Sequence, residues 1–368
     1  MFINKFRTLT ISNCEVSTQL VIDATVAKPP YSGVQLAVLQ EAKAVSALVP
    51  DARVFGTAQG LTPQPRWAHS TTGRILWQQL ALPRTLQTLQ AKTLLALAYT
   101  CPIHCKCPVI LHVHDVIALD HPELCSTLNA LHIRTLLPPS VRRADTIVVS
   151  TNYVAERLCA HFPEVASKTH VVNLGVDYEF FAAPKPRPTS LSPAPYFLFV
   201  GNLEPKKGLP TLLKAFDSIA TRCDANLVLA GRAAWKSAGI TRQIAAMQQK
   251  RPGRVVTLGR VPSDQLPVLY QHAVAFVFPS TEEGFGLPLL EAMAAGTPVI
   301  HSNHPALLEA ADGNGLAFET NNADALAEAM LSCLNNPSTM QESIDKGRTH
   351  AQTHPWSRWA EKVVTLLP

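Results

Sequence analysis

The chain has 368 residues, of which 47% are hydrophobic and 16% are charged, and its formal net charge is +5. This length exceeds what one hydrophobic core usually supports, so we expect two domains. Lys and Arg are scattered along the sequence, which argues against nucleic acid as a partner. The small positive net charge allows at most a mild attraction to anionic surfaces, such as peripheral contact with a membrane.

The N-terminal region indicates where the protein works. Residues 1–25 lack a continuous apolar core followed by a small-residue cleavage site, so we expect mature protein that stays in the cytoplasm. Apolar runs such as residues 94–99 and 227–230 are far shorter than the roughly 20 residues of a membrane span. The protein would therefore reach the inner face of a membrane only peripherally. The eight cysteines fit this compartment as reduced, mostly buried thiols.

Short β-rich runs alternate with helical patterns, which is typical of an α/β protein with parallel sheets covered by helices. In the first half, a helix follows Gly33 and another is capped by Thr151 or Asn152. The predicted strands of that half are residues 19–25, 108–114, 145–150 and 168–175.

Residues 183–195 contain five prolines and almost nothing that packs into a core, which predicts an extended, stiff connector. The strands predicted beyond it are residues 196–201, 226–231, 254–259, 275–280 and 297–302. The helices predicted there are residues 209–221, 263–272, 288–295 and 323–335. We therefore expect an N-terminal domain, a linker, a C-terminal domain and a final helix over residues 1–183, 184–195, 196–350 and 351–368.

A group of cysteines and histidines resembles a set of zinc ligands: Cys101, His104, Cys105 and Cys107, with His112 and His114 nearby. The spacing differs from the paired CxxC of common structural zinc sites, and no second cysteine pair follows. Two prolines also mark the segment as an irregular loop. We favour a loop of reduced thiols over a metal site.

The strand at residues 196–201 ends at Gly201, and Gly208 precedes the next predicted helix. A helix N-terminus attracts anions through its free amide groups and its dipole. Lys206 and Lys207 add positive charge at the same place, so a phosphate group is one suitable ligand. A basic turn that stays solvated explains this loop equally well.

The segment TEEGFGLPLLEAMAAGTPVI, residues 281–300, favours the phosphate. Gly284 and Gly286 let backbone amides approach a ligand at the start of a helix, where Pro288 suits the first turn. A diphosphate bound there would leave Glu283 beside the group at its far end and Glu291 near the nucleoside hydroxyls. This arrangement suits a sugar nucleotide. The alternative makes the two glutamates a solvated loop residue and a helix-surface charge.

With these elements in order, the sequence resembles family 4 of the retaining glycosyltransferases. EGFGLPLLEAMAAGTPVI looks like the signature of that family, with two glutamates at the expected separation. Further similar segments are residues 21–39, 112–123, 142–158, 173–181, 200–216, 227–235, 258–280 and 354–364. The resemblance implies the GT-B architecture, in which an acceptor-side Rossmann-like domain and a nucleotide-sugar-binding one face a central cleft, and the C-terminal helix packs back across both.

The resemblance also implies roles for individual residues. Glu283 would contact the transferred sugar, His114 would lie near the anomeric centre and Lys207 would bind donor phosphate, and these three are the candidate catalytic residues. Glu291 would bind the ribose. The other candidate substrate-binding residues are Gly33, Asp115, Gly201, Asn202, Lys206, Phe285, Gly286 and Leu287.

Three positions depart from the family pattern. Asn202 stands where many members have a phosphate-binding Arg, so the charge would come from Lys206. Gln35 replaces a second glycine or an Arg in the first-domain loop. Leu308 and Glu309 stand where a Pro-Glu pair is usual.

The implied activity is transfer of a hexose from a UDP-, GDP- or ADP-sugar to a hydroxyl of a glycan or lipid-linked acceptor, with retention at the anomeric carbon. We expect front-face attack, a place in polysaccharide or glycolipid assembly, and no cofactor or metal. Two alternatives stay open: a sugar-nucleotide epimerase of the same fold, and a catalytically inactive nucleotide-sugar-binding protein, which the changes at Asn202 and Gln35 favour.

Overall fold

The computed structural model describes residues 20–29, 31–187 and 193–368. The strands of the first half are β1 (Leu20–Asp23), β2 (Arg53–Phe55), β3 (Thr93–Ala96), β4 (Val109–Val113), β5 (Thr146–Val149) and β6 (Thr169–Val171). Those of the second half are β7 (Tyr196–Val200), β8 (Asn226–Ala230), β9 (Val255–Gly259), β10 (Ala275–Phe278), β11 (Val299–Ser302) and β12 (Leu316–Phe318). They form two six-stranded parallel sheets, ordered β2-β1-β3-β4-β5-β6 and β12-β11-β10-β7-β8-β9.

The helices of the first half are α1 (Gly33–Leu48), α2 (Thr71–Leu76), α3 (Leu82–Thr88), α4 (Ile117–Asp120), α5 (Thr127–Arg143), α6 (Asn152–His161) and α7 (Tyr178–Ala182). A π-helical segment, Trp77–Ala81, joins α2 to α3. The later helices are α8 (Leu209–Ile219), α9 (Ala238–Lys250), α10 (Leu266–Gln271), α11 (Leu287–Ala295), α12 (Pro305–Ala311), α13 (Ala323–Asn335), α14 (Pro337–Gln352) and α15 (Trp356–Val364). Among the described residues, no helix is both long enough and apolar enough to span a bilayer.

Alternate residues of the first sheet enter two different apolar cores, as the two-residue period of a strand requires. Ile22 and Leu95 point into the core that also contains residues of α1 and α15. Val21 and Leu94 point into the core beneath the α2–α3 helices and α5. Helices therefore cover both faces of the sheet, which explains why its strands are buried.

The chain returns to the first domain at its C-terminal end. The amide of Val176 donates to the carbonyl of His354 over 2.7 Å, just before α15 begins. The helix α15 then packs on α1 and buries Trp359. The two parallel sheets with their covering helices agree with the expected α/β fold class of two Rossmann-like domains. The predicted domain bounds, including those of the final helix, stay predictions.

The strands missed by the sequence analysis are β2, β3 and β12, and each has only three or four residues. The helix α5 was missed because Pro138 and Pro139 lie inside it, and proline removes a helical hydrogen bond. Burial of Leu137 and Val141 keeps the helix in place. Residues 1–19 and 188–192 lie outside the described residues, so the expectations for the N-terminal region and for the linker boundaries stay predictions.

Candidate active site

A cavity of about 330 Å³ lies between the two domains, beyond the carboxyl ends of their strands. This is the edge at which open α/β sheets bind ligands. Every residue that the sequence analysis assigns to catalysis or substrate binding lines this cavity: Gly33, His114, Asp115, Gly201, Asn202, Lys206, Lys207, Glu283, Phe285, Gly286, Leu287 and Glu291. The structure brings all of them together, while their individual roles stay predictions.

Lys207 and Glu283 form an ion pair in which the lysine Nζ lies 2.5 Å from Oε1 of the glutamate. Both side chains are nearly buried, with 13% and 11% of their areas exposed. Burial acts to raise the pKa of Glu283, but the charges of Lys207 and Lys206 outweigh it and hold that pKa below its usual value. Glu283 is therefore ionised, and the residues predicted to bind phosphate and sugar neutralise each other.

Lys206 has acidic neighbours of its own. Its Nζ is 3.9 Å from Oε1 of Glu204. Burial acts to lower the pKa of Lys206, but the charges of Asp115, Glu204 and Glu283 outweigh it and raise that pKa. Lys206 therefore carries its charge throughout the neutral pH range.

Glycines at the starts of two helices allow the close approaches that shape the cavity. Gly208 precedes α8 with φ +64°, and Gly286 precedes α11 with φ +103°, both in the left-handed region. Gly284 has a different constraint, because a Cβ there would lie only 2.0 Å from the carbonyl oxygen of His114. The two domains thus meet through backbone at Gly284, and no larger residue fits.

Glu291 of α11 lines the cavity, and its role at the ribose stays a prediction. The hydroxyl of Tyr270 donates to Oε2 of Glu291 over 2.9 Å. Burial raises the pKa of Glu291 to about 7, although the Tyr270 hydrogen bond acts to lower it. This carboxyl group therefore changes its charge near neutral pH, and its other oxygen is the one available to a ligand hydroxyl.

His114 follows β4 and is fixed by a hydrogen bond of 2.9 Å between its Nε2 and the carbonyl oxygen of Leu97. A carbonyl only accepts, so Nε2 carries the hydrogen and Nδ1 is an acceptor. Burial and then the neighbouring His112 lower the pKa of His114 to about 4, so its ring is neutral at physiological pH. His114 can therefore accept a hydrogen bond from a ligand hydroxyl.

Asp115 lines the cavity, but protein groups engage both of its carboxylate oxygens. The hydroxyl of Tyr99 donates to Oδ2 over 2.6 Å, and the amide of Ile117 donates to Oδ1 over 3.1 Å. The ring of Tyr99 also meets that of His114 edge-on, with centroids 5.7 Å apart. Asp115 therefore holds the loop that follows His114.

A buried acid lies behind His114 and was missed by the sequence analysis. Glu41 of α1 and His112 of β4 are both fully buried, with His112 Nδ1 3.1 Å from Oε1 of the glutamate. Among the described residues, neither these atoms nor Oε2 of Glu41 has a hydrogen-bond partner of good geometry. Burial raises the pKa of Glu41 to about 8 and lowers that of His112 to about 3, so both are neutral near pH 7.

His112 connects this pair to its surroundings. Its ring contacts that of His114 at a tilt of 37°, with centroids 3.9 Å apart, and stacks on Trp359 of α15 at 5.7 Å. Its Nε2 lies 3.2 Å from Oγ of Ser150. Glu41, His112 and His114 each offer a ligand atom, and these atoms lie within 4.8 Å of one another, so the cluster could hold a metal ion. His112 lies on β4 and His114 directly follows it, and this spacing of two residues is the sequence signal that both face the same side of the sheet.

Comparison with protein families identifies the chain. The family model Glycosyl transferases group 1 matches residues 185–350, and the family model Glycosyltransferase Family 4 matches residues 33–180. Together the two models cover most of the chain.

The chain belongs to glycosyltransferase family 4. It is 27% identical over 259 residues to O-antigen chain mannosyltransferase B of Escherichia coli, a match that covers 68% of each protein. It is also 27% identical over 213 residues to O-antigen chain mannosyltransferase RfbU of Salmonella typhimurium, a match that covers only 57% of each. The chain is therefore a glycosyltransferase, as the sequence analysis expects.

A solved structure supports the fold independently. The crystal structure of the Anabaena protein HepE in complex with UDP and glucose superimposes with a TM-score of 0.74 at 18% identity, covering 95% of this chain and 99% of that one. This likeness shows that the family 4 chain has the GT-B fold.

Two arginines line the same cavity as Asn202, and the sequence analysis did not identify them. Arg232 and Arg260 follow β8 and β9 and line the cavity, and the carbonyl of Arg232 accepts from the amide of Leu203 over 2.8 Å. The signal is a repeated pattern, because a Gly-Asn or Gly-Arg dipeptide stands at the carboxyl end of each of the three neighbouring strands β7, β8 and β9. This glycosyltransferase therefore has cations near the position where its family usually places an Arg.

Gln35 and Glu309, at the other two positions that depart from the family pattern, both form hydrogen bonds. Oε1 of Gln35 accepts from the amide of Ser32 over 2.9 Å, so this side chain caps the start of α1. Glu309 accepts from the amide and the side-chain nitrogen of Asn152 at 2.8 Å and 3.0 Å, which joins the two domains. Thr151, predicted as a helix cap, accepts from Val154 N over 3.2 Å.

The described cysteines are free thiols, but the expectation that most are buried is wrong. Cys101 and Cys333 are buried, whereas Cys105, Cys107, Cys125, Cys159 and Cys223 are partly exposed because they lie in loops or near helix ends. Arg143 donates to the carbonyl oxygens of Cys105 and Cys107, both over 2.8 Å, which fixes the predicted thiol loop. The absence of a required metal there stays a prediction.

Proposed function

We propose that the enzyme transfers a sugar from a nucleoside-diphosphate sugar to an acceptor hydroxyl with retention at the anomeric carbon. The observation that carries the proposal is the composition of the cavity. It combines two lysines, two arginines, two helix starts and four carboxylates, among them Glu283 and Glu291, around one cleft. Cations and amides suit a diphosphate, while carboxylates suit the hydroxyls on either side of it.

Glu291 suits the nucleoside end because it lies one turn into α11, with one oxygen held by Tyr270. Glu283 suits the transferred sugar because it lies before the helix start and close to His114. The neutral His114 ring, with Nδ1 as an acceptor, can take a hydrogen bond from a sugar hydroxyl without adding charge. We assign the diphosphate to the space between them.

Before the donor binds, Lys207 and Glu283 neutralise each other's charge in the nearly buried site. A lone carboxylate there would repel a diphosphate, and Lys207 neutralises it. When the donor binds, sugar hydroxyls donate to Glu283 and the charge of Lys207 becomes available to the leaving phosphate. Lys206 and the α11 amides stabilise the same developing charge, which is electrostatic catalysis.

In the transfer step, the bond between the anomeric carbon and the diphosphate oxygen breaks while the acceptor oxygen bonds to that carbon on the same face. The acceptor proton passes to an oxygen of the departing diphosphate. Domain closure at Gly284 excludes water that would otherwise hydrolyse the donor. We propose that lysines and helix dipoles make a divalent metal unnecessary, and unchanged transfer in the presence of a chelator is the check.

For the acceptor, we propose a glycan or a lipid-linked saccharide in polysaccharide assembly, reached by peripheral contact with a membrane. Two relatives are named as O-antigen chain mannosyltransferases, and HepE was crystallised with UDP and glucose. The relatives support a mannosyl donor and the solved structure supports UDP, so the donor panel must include both GDP-mannose and UDP-glucose.

The test measures the thermal stability of the enzyme with UDP-, GDP- and ADP-sugars, because a ligand that binds the folded state raises the melting temperature. The best donor is then incubated with saccharide acceptors, and the anomeric configuration of the product is read by NMR. We expect one donor to stabilise the wild type and the Glu283→Ala variant, but to stabilise Glu291→Ala less. A product of inverted configuration, or release of the nucleotide with no acceptor product, would overturn the proposal.

A further inference from the structure

The loop between β3 and β4 carries two neighbouring thiols that the proposed function does not use. Cys105 and Cys107 flank the exposed Lys106, and both are partly exposed, whereas Cys101 is fully buried. A neutral Cys105 thiol donates to the carbonyl oxygen of Cys107 over 3.6 Å. We name Cys105 and Cys107 the thiol pair. Reagents in solution can reach this pair while the chain stays folded.

A guanidinium group lies against the thiol pair. Nη2 of Arg143, at the end of α5, donates to the carbonyl oxygens of Cys105 and Cys107, each over 2.8 Å. The same nitrogen lies 3.4 Å from the sulfur of Cys105. A cation at this distance stabilises a thiolate relative to a thiol. The contact therefore selects Cys105 as the member of the pair that ionises more readily.

The ion pair between Arg143 and Asp145 leaves this contact intact. Asp145 is held by the other terminal nitrogen, with Nη1 of Arg143 3.0 Å from its Oδ2, and 56% of the Asp145 side chain is exposed to solvent. Nη2 therefore stays on the thiol pair. Asp145 acts to raise the pKa of Cys105, but this effect is smaller than those of Cys107 and Arg143.

The two thiols also act on each other. The hydrogen bond from the Cys107 thiol is the largest effect on Cys105, and together with the charge of Arg143 it outweighs burial and lowers the pKa of Cys105 to about 7. The same hydrogen bond raises the pKa of Cys107. The pair thus consists of one thiol that ionises near neutral pH and one that stays protonated beside it.

A zinc site does not explain the thiol pair. Within the part of the chain that the structure describes, the group of at least three close metal-ligand atoms is Glu41, His112 and His114, and no cysteine belongs to it. Two thiols beside a cation are instead the components of thiol oxidation chemistry.

The thiol pair is remote from the cavity. It precedes β4, and Arg143 and Asp145 precede β5, so all four residues lie at the amino edge of the first sheet. The amide of Val109 donates to Oδ2 of Asp145 over 2.8 Å, which joins the two loops at this edge. The cavity lies beyond the opposite, carboxyl edge. Chemistry at the thiol pair is therefore separate from donor binding.

We propose that the thiol pair is a reversible oxidation site for hydrogen peroxide. The Cys105 thiolate attacks one peroxide oxygen, the O–O bond breaks, and the leaving hydroxide takes up a proton to become water, so that Cys105 becomes a sulfenic acid. The sulfur of Cys107 then attacks the Cys105 sulfur and the S–O bond breaks. The hydroxide leaves with the proton of the Cys107 thiol as a second water, and a disulfide remains. The two thiols are oxidised and the peroxide is reduced.

The spacing of the thiol pair permits this disulfide. Cα atoms two residues apart are separated by at most about 7 Å, and a disulfide tolerates up to about 6.8 Å between them. A disulfide in so small a ring is strained, and strained disulfides are the more easily reduced ones. Cellular thiols can therefore return the pair to its reduced state.

The first test alkylates the full chain with limiting iodoacetamide at pH 7 and follows each cysteine by peptide mass spectrometry. Cys159 and Cys223 are the references, because they are also partly exposed. A larger ionised fraction speeds the reaction of Cys105, but a thiolate of lower pKa is less nucleophilic, so its rate should exceed theirs by roughly 5-fold. The rate at Cys105 should level off above its pKa of about 7.

Two arginine variants test the charge. Arg143→Gln should lower the alkylation rate of Cys105 roughly 5-fold, to that of the references. Arg142→Gln is the matched control, because Arg142 pairs with Glu164 over 2.9 Å on an exposed surface, and it should leave the rate unchanged. Circular dichroism of both variants checks that they fold. Equal rates in the two variants would contradict the role of Arg143.

The second test treats the enzyme with hydrogen peroxide and digests it with trypsin. Trypsin cleaves after Lys106 and separates the thiol pair unless a disulfide joins the two peptides. We expect linked peptides that dithiothreitol separates, whereas Cys107→Ser should leave a Cys105 sulfenic acid that dimedone traps. Three results overturn the proposal: no linked peptides, a Cys105 that alkylates no faster than the references, or bound zinc that protects the thiols.

Discussion

Replacing Glu41 with Gln tests whether the acid behind His114 is neutral in the folded enzyme. Burial raises the pKa of Glu41 from an ordinary value of 4.5 to about 8. Between these values the folded chain keeps a proton that the unfolded chain releases, so stability falls as pH rises through this window. Glutamine is neutral at every pH and lacks this dependence.

The size of the effect follows from the position of that window. Each pH unit within it is worth about 1.4 kcal/mol. The range from pH 6.5 to pH 8 is the upper part of the window between the unfolded pKa of Glu41, 4.5, and its folded pKa, about 8. Across it, the free energy of unfolding of the wild type, relative to that of Glu41→Gln, should therefore fall by roughly 2 kcal/mol. Burial lowers the pKa of His112 to about 3 and that of His114 to about 4. The stability that these neutral histidines contribute is lost only as pH falls below 6.5, outside the measured range. It also largely cancels when the variant is subtracted from the wild type.

The assay is urea denaturation of both proteins across this pH range, analysed by linear extrapolation. Glu328→Gln is the matched control, because Glu328 is exposed on α13 and its replacement should leave the pH dependence unchanged. A wild-type-minus-variant difference that does not vary with pH would refute the reasoning, because it would mean that Glu41 is ionised in the folded state. If a chelator then lowered the stability of the wild type alone, a metal held by Glu41, His112 and His114 would be the cause.

Three further outcomes are expected at the cavity. Lys207→Ala should lower turnover at saturating donor by a factor on the order of 100 or more, with a smaller loss for Lys206→Ala; unchanged turnover in Lys207→Ala would place the phosphate elsewhere. The KM for the donor should fall as pH rises through the pKa of Glu291, about 7, because the ionised carboxylate accepts hydroxyl hydrogens better, and a pH-dependent KM that persists in Glu291→Gln would contradict this assignment. Gly284→Ala should hold the domains apart, since its Cβ would lie 2.0 Å from the His114 carbonyl; we expect a larger radius of gyration by X-ray scattering and a large loss of kcat/KM, and a compact, fully active variant would show that closure does not need this contact.

The meeting of the candidate lysines and glutamates in one cavity was predictable, because these residues lie at strand ends beside glycines. Lys207 and Glu283 are far apart in sequence, yet each lies between a buried strand and a helix start, and parallel strands bring such positions to one edge. Their mutual ion pair was not predictable, because it depends on the distance between two loops. The sequence also does not reveal that Tyr270 occupies one oxygen of Glu291.

Glu41 illustrates why other parts of the site escape sequence reasoning. A glutamate in an amphipathic helix normally faces solvent, and nothing near Glu41 in the sequence marks it as buried. Its environment depends on α15, which covers α1 from the far end of the chain and brings Trp359 against His112. Contacts of this kind arise from tertiary structure, which overrides the local pattern.

The position of α15 also affects how the protein is made. Trp359 and its neighbours cover α1, but they are synthesised only after the whole second sheet. Domains generally fold as units during translation, the N-terminal one first. Here the first domain to emerge from the ribosome is the last to be completed, and until α15 arrives the apolar side of α1 and the ring of His112 lack their cover. Newly made chains thus carry an unfinished first domain throughout synthesis of the second, a stage at which chaperones would find apolar surface to bind.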